Sequence, residues 1–335
     1  MSLEPISPEQ ALELYLADRE TELAVATIYS HKSRLGHFVR WCDENNITNL
    51  NILTGRKLQE FRLWRRRDGN LSKATEKTQM DTIRVFIKWL ESIEGVEPDL
   101  HVKVRSPLLS REDNTRDVML SHEDAQMVLS YLDKYAYASI KHVTVALLWQ
   151  TMMRRGALRA LDISDYHPTE QYLEVKHRPE SETPLKNDEN GERLIALSDD
   201  VCTLLDDWIE MNRPEVHDDY GRKPLLATSQ GRIHYSTIQH YCYLMTRPCE
   251  YTSACPHGRT VDSCEAVEPD SASKCPSSRS PHALRRGSIT ANLQQDVPEK
   301  AISDRAQVSQ DVLEQHYDNR SEKEKMEQRR EYFSG

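Results

Sequence analysis

The sequence contains groups that could bind and attack a phosphate ester. They are two polar side chains near the start of a predicted helix and the hydroxyl of a tyrosine further along the chain. His282 and Arg285 stand one helical turn apart, so their side chains share a face. Ser280 is suited to cap this helix and Pro281 to its first turn, and a helix N-terminus favours a bound phosphate. Tyr317 supplies a hydroxyl, whose ordinary pKa of about 10 requires help from a base or from nearby cations. A hydroxyl nucleophile with cationic donors on the non-bridging oxygens can open a phosphodiester without a metal.

Further cations for such a site lie upstream. The stretch from Leu147 to Leu161 has the pattern of a helix, a loop and a second helix, with Arg154 and Arg155 in the loop. Two guanidinium groups can clamp the equatorial oxygens of a phosphoryl transition state bidentately, which lysine does less well.

These motifs resemble the active site of the tyrosine recombinase, or phage-integrase, family, including its Xer-type members. In that family a Thr-Gly-Leu-Arg type of turn precedes a helix that ends in Leu-x-x-x-Asp. The match places Arg154 on the first catalytic arginine, with Arg155 as a competing candidate. Met152 stands where the family usually has Gly, and Ala157 where it commonly has Glu. The resemblance makes Tyr317 the nucleophile.

The resemblance also implies a lysine on a β-hairpin that protonates the leaving 5′-oxygen. Lys186 lies in the loop between two predicted strands, Tyr172–Lys176 and Arg193–Leu197, and Lys176 is the alternative. The family often reads Leu-Gly-His-Ser before the nucleophile, but Val308 holds the place of the histidine, and loss of one such donor typically costs about 10²–10³ in rate. No cofactor or catalytic metal is implied. The resulting catalytic set is Arg154, Lys186, His282, Arg285 and Tyr317, with His282 as the helper of the tyrosine.

Helices dominate the elements that must position these groups. Four predicted helices with short polar connections fill residues 6 to about 95 and indicate a small bundle. Residues 96–118 lack periodicity and are interpreted as an extended linker. We therefore divide the chain into a helical domain over 1–96, a linker over 97–118 and a second domain over 119–335.

One stretch of the second domain has the pattern of strands. Tyr172–Lys176 alternates, Asn190-Gly191 is a turn signal and Arg193–Leu197 has the pattern of a returning strand. The expected fold class is mainly α with a small antiparallel β-sheet. The resemblance implies an N-terminal core-binding domain of the SAM-like type and a catalytic domain, which together clamp DNA.

The formal net charge of −10 argues mildly against a nucleic-acid partner, because phosphate neutralisation needs a positive surface. An acidic balance would suit a salt-rich cytoplasm such as that of haloarchaea, where counterion release contributes less to DNA binding. Basic residues nevertheless cluster within 1–95, and we expect them to contact DNA phosphates. The predicted DNA-binding residues are Arg62, Arg65, Arg66, Arg67, Lys73, Lys77 and Arg84.

Four of the seven cysteines fall in one segment, about 248–280, that is rich in helix breakers. Such a segment has little apolar material to order it, and a tetrahedral zinc ion would do so. Free thiols are the alternative, since a reducing cytosol disfavours disulfides. The predicted structural zinc ligands are Cys249, Cys255, Cys264 and Cys275, with His257 as a substitute for one of them.

The leading functional hypothesis is a site-specific DNA recombinase or integrase that works through a 3′-phosphotyrosine, in a mobile element or in chromosome resolution. The resemblance implies double-stranded DNA as partner and a homotetramer on two DNA sites. The main alternative is a catalytically inactive DNA-binding protein of the same fold; a type IB topoisomerase and an unrelated zinc module are others. With no secretory signal and no long apolar stretch, we expect a cytoplasmic protein without a membrane partner.

Overall fold

The computed structural model describes residues 3–110, 118–252, 254–268, 270–318, 320 and 322–330. The chain divides into two compact units, Met1–Arg116 and Asp117–Gly335. Helices predominate in both, and strands occur in small antiparallel sheets, so the predicted fold class is confirmed. Among the described helices, none has the length and apolar character needed to span a membrane.

The N-terminal unit contains the four predicted helices. A capping box between Ser7 and Gln10 begins the first, Thr54 caps the third and Ser72 the fourth. Their bounds are α1 Pro8–Arg19, α2 Val25–Glu44, α3 Gly55–Asp68 and α4 Lys73–Ser92. The core between them is aromatic: Phe38 and Phe61 meet edge to face, with ring centroids 5.2 Å apart.

The start of the predicted linker packs against this unit. Val96, Leu100 and Val104 are buried in the same hydrophobic core as the four helices. A short 3₁₀ helix, Leu100–Lys103, carries the middle one of these residues. The packed unit thus continues past residue 96, and residues 111–117 of the predicted linker lie outside the described residues.

The C-terminal unit is built around one buried helix. Nearly every side chain of the helix Ile140–Thr151 is buried, and α-helices before and after it in the chain pack against it. The helices of this unit are α5 His122–Tyr135, α6 Ile140–Thr151, α7 Arg155–Ala160, α8 Asp199–Asp207, α9 Tyr235–Met245, α10 Pro248–Tyr251, α11 Pro281–Gln294, α12 Glu299–Ala306, α13 Gln310–His316 and α14 Glu322–Arg330.

The predicted strand pair forms two strands, one central and one at the edge, of a three-stranded antiparallel sheet. Its order is β1 Tyr166–His167, β2 Tyr172–Val175 and β3 Arg193–Ala196. Leu173 pairs with Ile195, and both side chains face the core. A two-stranded sheet, β4 Ala227–Thr228 and β5 Gly231–Arg232, precedes α9.

Candidate active site

The corner between α6 and α7 positions Arg154. Helix α6 ends at Met152, whose φ of 54° is left-handed and whose side chain is buried among the last helices of the unit. A methionine therefore takes the backbone conformation that favours glycine at a helix end. Arg154 follows as the N-cap of α7, and its Nη1 donates to Oε1 of Gln307. Burial lowers the pKa of Arg154, while the nearby Tyr317 acts in the opposite direction.

The competing candidate, Arg155, is held differently. Its Nη1 donates to Oε1 of Gln239 at 2.6 Å, and its guanidinium lies over the Tyr235 ring, 5.3 Å from the centroid. Arg155 is therefore bound to the first turns of α9, whereas Arg154 faces the C-terminal helices.

Helix α11 positions His282 and Arg285. Its N-terminus forms as the sequence indicates, since Ser280 Oγ accepts from the backbone N–H of Ala283 at 3.3 Å and Pro281 occupies the first turn. Arg285 is only 2% exposed and donates from Nη1 to the carbonyl oxygen of Met152. Its Nε and Nη2 are buried and have no hydrogen-bond partner among the described residues.

Burial lowers the pKa of Arg285 to about 10, with Tyr317 acting to raise it and Arg154 to lower it. The group remains a cation at neutral pH. A buried cation with two unpaired donor groups is costly unless an anion completes it, so this end of the helix is prepared for a negatively charged ligand.

His282 lies at the rim of the site, on the exposed side of α11. Partial burial lowers its pKa, and the surrounding cations Arg285, Arg286, Lys186 and Arg154 lower it further. The imidazole is therefore neutral at pH 7 and can accept a proton.

The loop between β2 and β3 brings Lys186 to the same place. Lys186 is exposed, and it is adjacent to the buried Leu185. The alternative, Lys176, forms ion pairs with Glu174 at 2.7 Å and with Asp165 at 4.0 Å. These carboxylates hold Lys176 on the sheet.

Tyr317 ends helix α13 and is 6% exposed. Its backbone N–H donates to Leu313 at 3.0 Å, and its carbonyl oxygen accepts from Thr290 Oγ1 at 3.0 Å. The ring belongs to a hydrophobic cluster formed by α11, α12 and α13. The backbone N–H of Tyr317 thus closes the last turn of α13, and its carbonyl oxygen is bound to the helix that carries Arg285.

The residue after the tyrosine is a buried carboxylate. Asp318 accepts from Arg320 Nε at 2.8 Å and pairs with Lys325 Nζ at 3.2 Å. Burial acts to raise the pKa of Asp318, but the hydrogen bonds from Arg320 and Lys325 outweigh it and lower the pKa to about 2. This ion cluster attaches α14 to the segment that holds Tyr317.

All five predicted catalytic side chains line one cavity of about 580 Å³. Arg154, Lys186, His282, Arg285 and Tyr317 come from four separate parts of the unit. The cavity thus combines a phenol, a neutral imidazole and several cations, a set that can bind a phosphate and attack it.

Two polar lining residues, Gln307 and Arg193, were not among the candidates predicted from the sequence. Gln307 lies next to Arg154, and Arg193 reaches the cavity from β3. Burial lowers the pKa of Arg193 to about 10, and the nearby Arg285, Arg154 and Arg305 lower it further. The signal for Arg193 was its place at the start of a predicted strand, next to the turn after Lys186; a lone arginine there has no distinctive pattern.

Val308 lines the cavity and is 9% exposed, part of the hydrophobic cluster that contains Tyr317. Its side chain supplies no hydrogen bond. The cavity wall is therefore apolar at this position.

The cysteine-rich segment is ordered in part by polar contacts. Arg247 donates to the carbonyl oxygen of Ala266 at 2.6 Å, and Thr246 Oγ1 accepts from the backbone of Arg279 at 2.7 Å. Among the described residues, no group of three or more His, Cys, Asp or Glu side chains lies close enough to hold a metal. The zinc site through Cys249, Cys255, Cys264, Cys275 and His257 thus finds no support in this arrangement and stays a prediction.

The basic residues of α3 and α4 are less uniform than the sequence indicated. Arg62 and Arg66 both pair with the buried carboxylate of Glu76, at 2.5 and 2.6 Å, and Arg65 is buried beside Asp68 at 3.2 Å. Lys77 and Arg84 share Asp81. Arg62 and Arg65 therefore pair with carboxylates inside the N-terminal unit, whereas Arg67 and Lys73 are exposed. Contact of these residues with DNA phosphates stays a prediction.

Comparisons with known proteins agree with this architecture. Residues 12–93 match the family described as "Phage integrase, N-terminal SAM-like domain". The chain is similar to the structure of the Tn1549 transposon integrase in complex with transposon right end DNA, at 13% identity and a TM-score of 0.69, covering 98% of this chain and 100% of that one. It is also similar to a lambda integrase dimer bound to a COC′ core site, at 12% identity and a TM-score of 0.60, covering 97% and 78%.

A third similarity has higher identity over a shorter span. The N-terminal domain of a phage integrase/site-specific recombinase from Haloarcula marismortui is 40% identical, covering 31% of this chain and 99% of that one, with a TM-score of 0.30. No curated protein matches the chain.

Proposed function

We propose that this chain is a tyrosine recombinase of the phage-integrase type, which cleaves and rejoins double-stranded DNA at specific sites through a 3′-phosphotyrosine; the family match of residues 12–93 and the fold shared with known integrases support this. The observation that carries the proposal is the convergence of Arg154, Lys186, His282, Arg285 and Tyr317 on one cavity. These residues come from distant parts of the chain, and their chemistry is complementary.

In the cleavage step, the phenol oxygen of Tyr317 attacks the scissile phosphorus and the bond to the 5′-oxygen breaks. Arg154 and Arg285 hold the non-bridging oxygens, on which negative charge increases in the transition state. The unpaired Nε and Nη2 of Arg285 supply two donors in the planar arrangement that a phosphate accepts.

Two proton transfers accompany the step. The phenol proton moves to the neutral imidazole of His282, and Lys186 donates a proton to the leaving 5′-oxygen. The products are a tyrosyl 3′-phosphodiester and a free 5′-hydroxyl. Attack by the 5′-hydroxyl of a partner strand reverses the step, so no cofactor is consumed.

Exchange between two DNA sites requires four such cleavages, and we propose a homotetramer on two duplexes. The transposon and lambda integrases, which share the fold, were solved with DNA, the second as a dimer. More specifically, we propose that the protein is an integrase encoded by a mobile element.

The test is a suicide duplex, nicked so that the short 5′-terminated fragment diffuses away after cleavage. The wild-type protein is expected to form a covalent adduct that survives denaturation, and Tyr317→Phe to form none while binding the duplex with unchanged affinity. Binding without an adduct in the wild-type protein would instead favour the inactive DNA-binding protein, for which the apolar Val308 is the motivating feature.

A further inference from the structure

Gln307 has a backbone conformation unusual for a residue with a side chain. It follows α12 as the C-cap, with φ 54° and ψ 62°, in the left-handed region. Glycine adopts this conformation readily, whereas a residue with a Cβ is strained there. Strain of this kind persists where the surrounding structure fixes it, and it is concentrated at functional sites.

The side chain of Gln307 joins two parts of the cavity. Its Oε1 accepts from Nη1 of Arg154, and its Nε2 donates to the carbonyl oxygen of Asn190 at 3.1 Å. Asn190 lies in the loop between β2 and β3, the loop that carries Lys186. One amide thus connects the arginine after α6 to the lysine loop, while the residue itself lines the cavity.

We propose that Gln307 is a positioning residue for the reaction proposed above, on which this inference rests. It fixes the guanidinium of Arg154 toward the scissile phosphate and holds the Lys186 loop at the distance needed for proton donation. The amide occupies one N–H of Arg154 and leaves the others for phosphate oxygens. Fixing a long side chain before the substrate arrives lowers the entropic cost of reaching the transition state.

Gln307→Gly separates this role from a structural one, because glycine suits the left-handed backbone. The variant is expected to keep or raise the unfolding temperature and to bind DNA within about twofold of wild type, while adduct formation under single-turnover conditions slows about 10²-fold. Gln307→Asn, which tolerates the same backbone but is one methylene shorter, is expected to be slow as well.

Gln171→Gly is the matched control. Gln171 has a φ of 56°, and its side chain donates to Asp199 at 2.6 Å, outside the cavity. The same substitution on the same backbone should leave the cleavage rate unchanged. Equal rates for Gln307→Gly and wild type would overturn the inference, and so would equal slowing of both glycine variants.

A double-mutant cycle asks whether Gln307 acts through Arg154. If it does, adding Gln307→Gly to Arg154→Lys slows cleavage by no more than about threefold beyond Arg154→Lys alone, since the contact is already lost. A full further loss of about 10²-fold would contradict the role through Arg154. Wild-type protein that forms no adduct would refute the proposed function itself, a result distinct from either of these.

Discussion

Arg285 shows at the residue scale how this site is prepared for an anion. Its side chain is almost completely buried, yet Nε and Nη2 remain unpaired among the described residues. Folding therefore already includes the unfavourable free energy of desolvating this cation, before any ligand binds. A phosphate that accepts hydrogen bonds from these donors offsets part of that free energy. The side chain of Arg67, by contrast, is exposed, so folding does not desolvate its guanidinium group or orient it for an anion.

The proposed role of His282 as the base predicts how the rate of cleavage depends on pH. Because burial and neighbouring cations hold its pKa below the ordinary 6.5, the imidazole stays neutral as the pH falls to about 6.5 and is protonated only below that. At DNA concentrations below saturation, protonation of the base is therefore not expected to lower the rate of adduct formation between about pH 7.5 and 6.5. At lower pH the rate should decline, because the imidazole becomes protonated.

The matched variant is His282→Gln, which should be slower and should lack this decline on the acid side. The test is the rate of adduct formation of both proteins, measured on denaturing gels over the same pH range. A fall in the wild-type rate that begins well above pH 6.5 and disappears in the glutamine variant would contradict the lowered pKa.

At the scale of elements, α11 must sit very close to the segment before α5. A Cβ built on Gly287 would overlap the carbonyl oxygen of Leu120 and lie 3.1 Å from Cζ3 of Trp149. The backbone N–H of Leu120 also donates to the carbonyl oxygen of Ala283 at 3.2 Å. This close approach determines how near α11, the helix that carries His282 and Arg285, lies to Leu120 and Trp149.

Gly287→Ala is therefore expected to lower the free energy of unfolding by about 1–3 kcal/mol, because backbone atoms must move to accept the methyl group. It should also slow cleavage, since α11 moves with its two site residues. Thermal denaturation and the suicide-duplex assay measure the two effects.

The control is Gly36→Ala in the middle of α2, where an added Cβ meets nothing within 4 Å. That variant should be neutral or more stable by up to about 1 kcal/mol. A stable and fully active Gly287→Ala protein would show that the contact with Leu120 does not fix the position of the helix.

At the scale of the whole molecule, the question is which chain supplies the nucleophile. Tyr317 lines the cavity formed by Arg154, Lys186 and Arg285 of its own chain, and the ion cluster at Asp318 attaches the following helix to the same unit. This arrangement favours cleavage in cis, in which each protomer attacks the phosphate that its own arginines bind.

Mixing two inactive variants tests this. Tyr317→Phe and Arg154→Gln protomers, combined on one DNA site, are expected to form no adduct, because neither cavity contains both groups. Each variant alone serves as the control for background cleavage. An adduct on the Arg154→Gln chain, which retains the tyrosine, would establish donation of Tyr317 to a neighbouring protomer.

The acidic balance of the chain is also a property of the whole molecule. Part of the basic cluster in the N-terminal unit is neutralised internally, because Glu76 pairs with Arg62 and Arg66, and Asp68 with Arg65. The count of basic residues in the sequence therefore overstates the positive charge left on the surface, and the pairing of Arg62 and Arg66 with Glu76 joins two helices, so it could not be read from one helix at a time.

Local sequence patterns were sufficient to predict the helical bundle, the strand pair and the catalytic candidates. Caps, apolar spacing and turn residues are local, so Ser280 and the alternating stretch from Tyr172 each predicted the element that forms around them. The contacts that complete the cavity follow from long-range packing instead. The bond from Gln307 to Arg154 and the burial of Arg285 depend on contacts between residues far apart in the chain, for which local patterns contain no information.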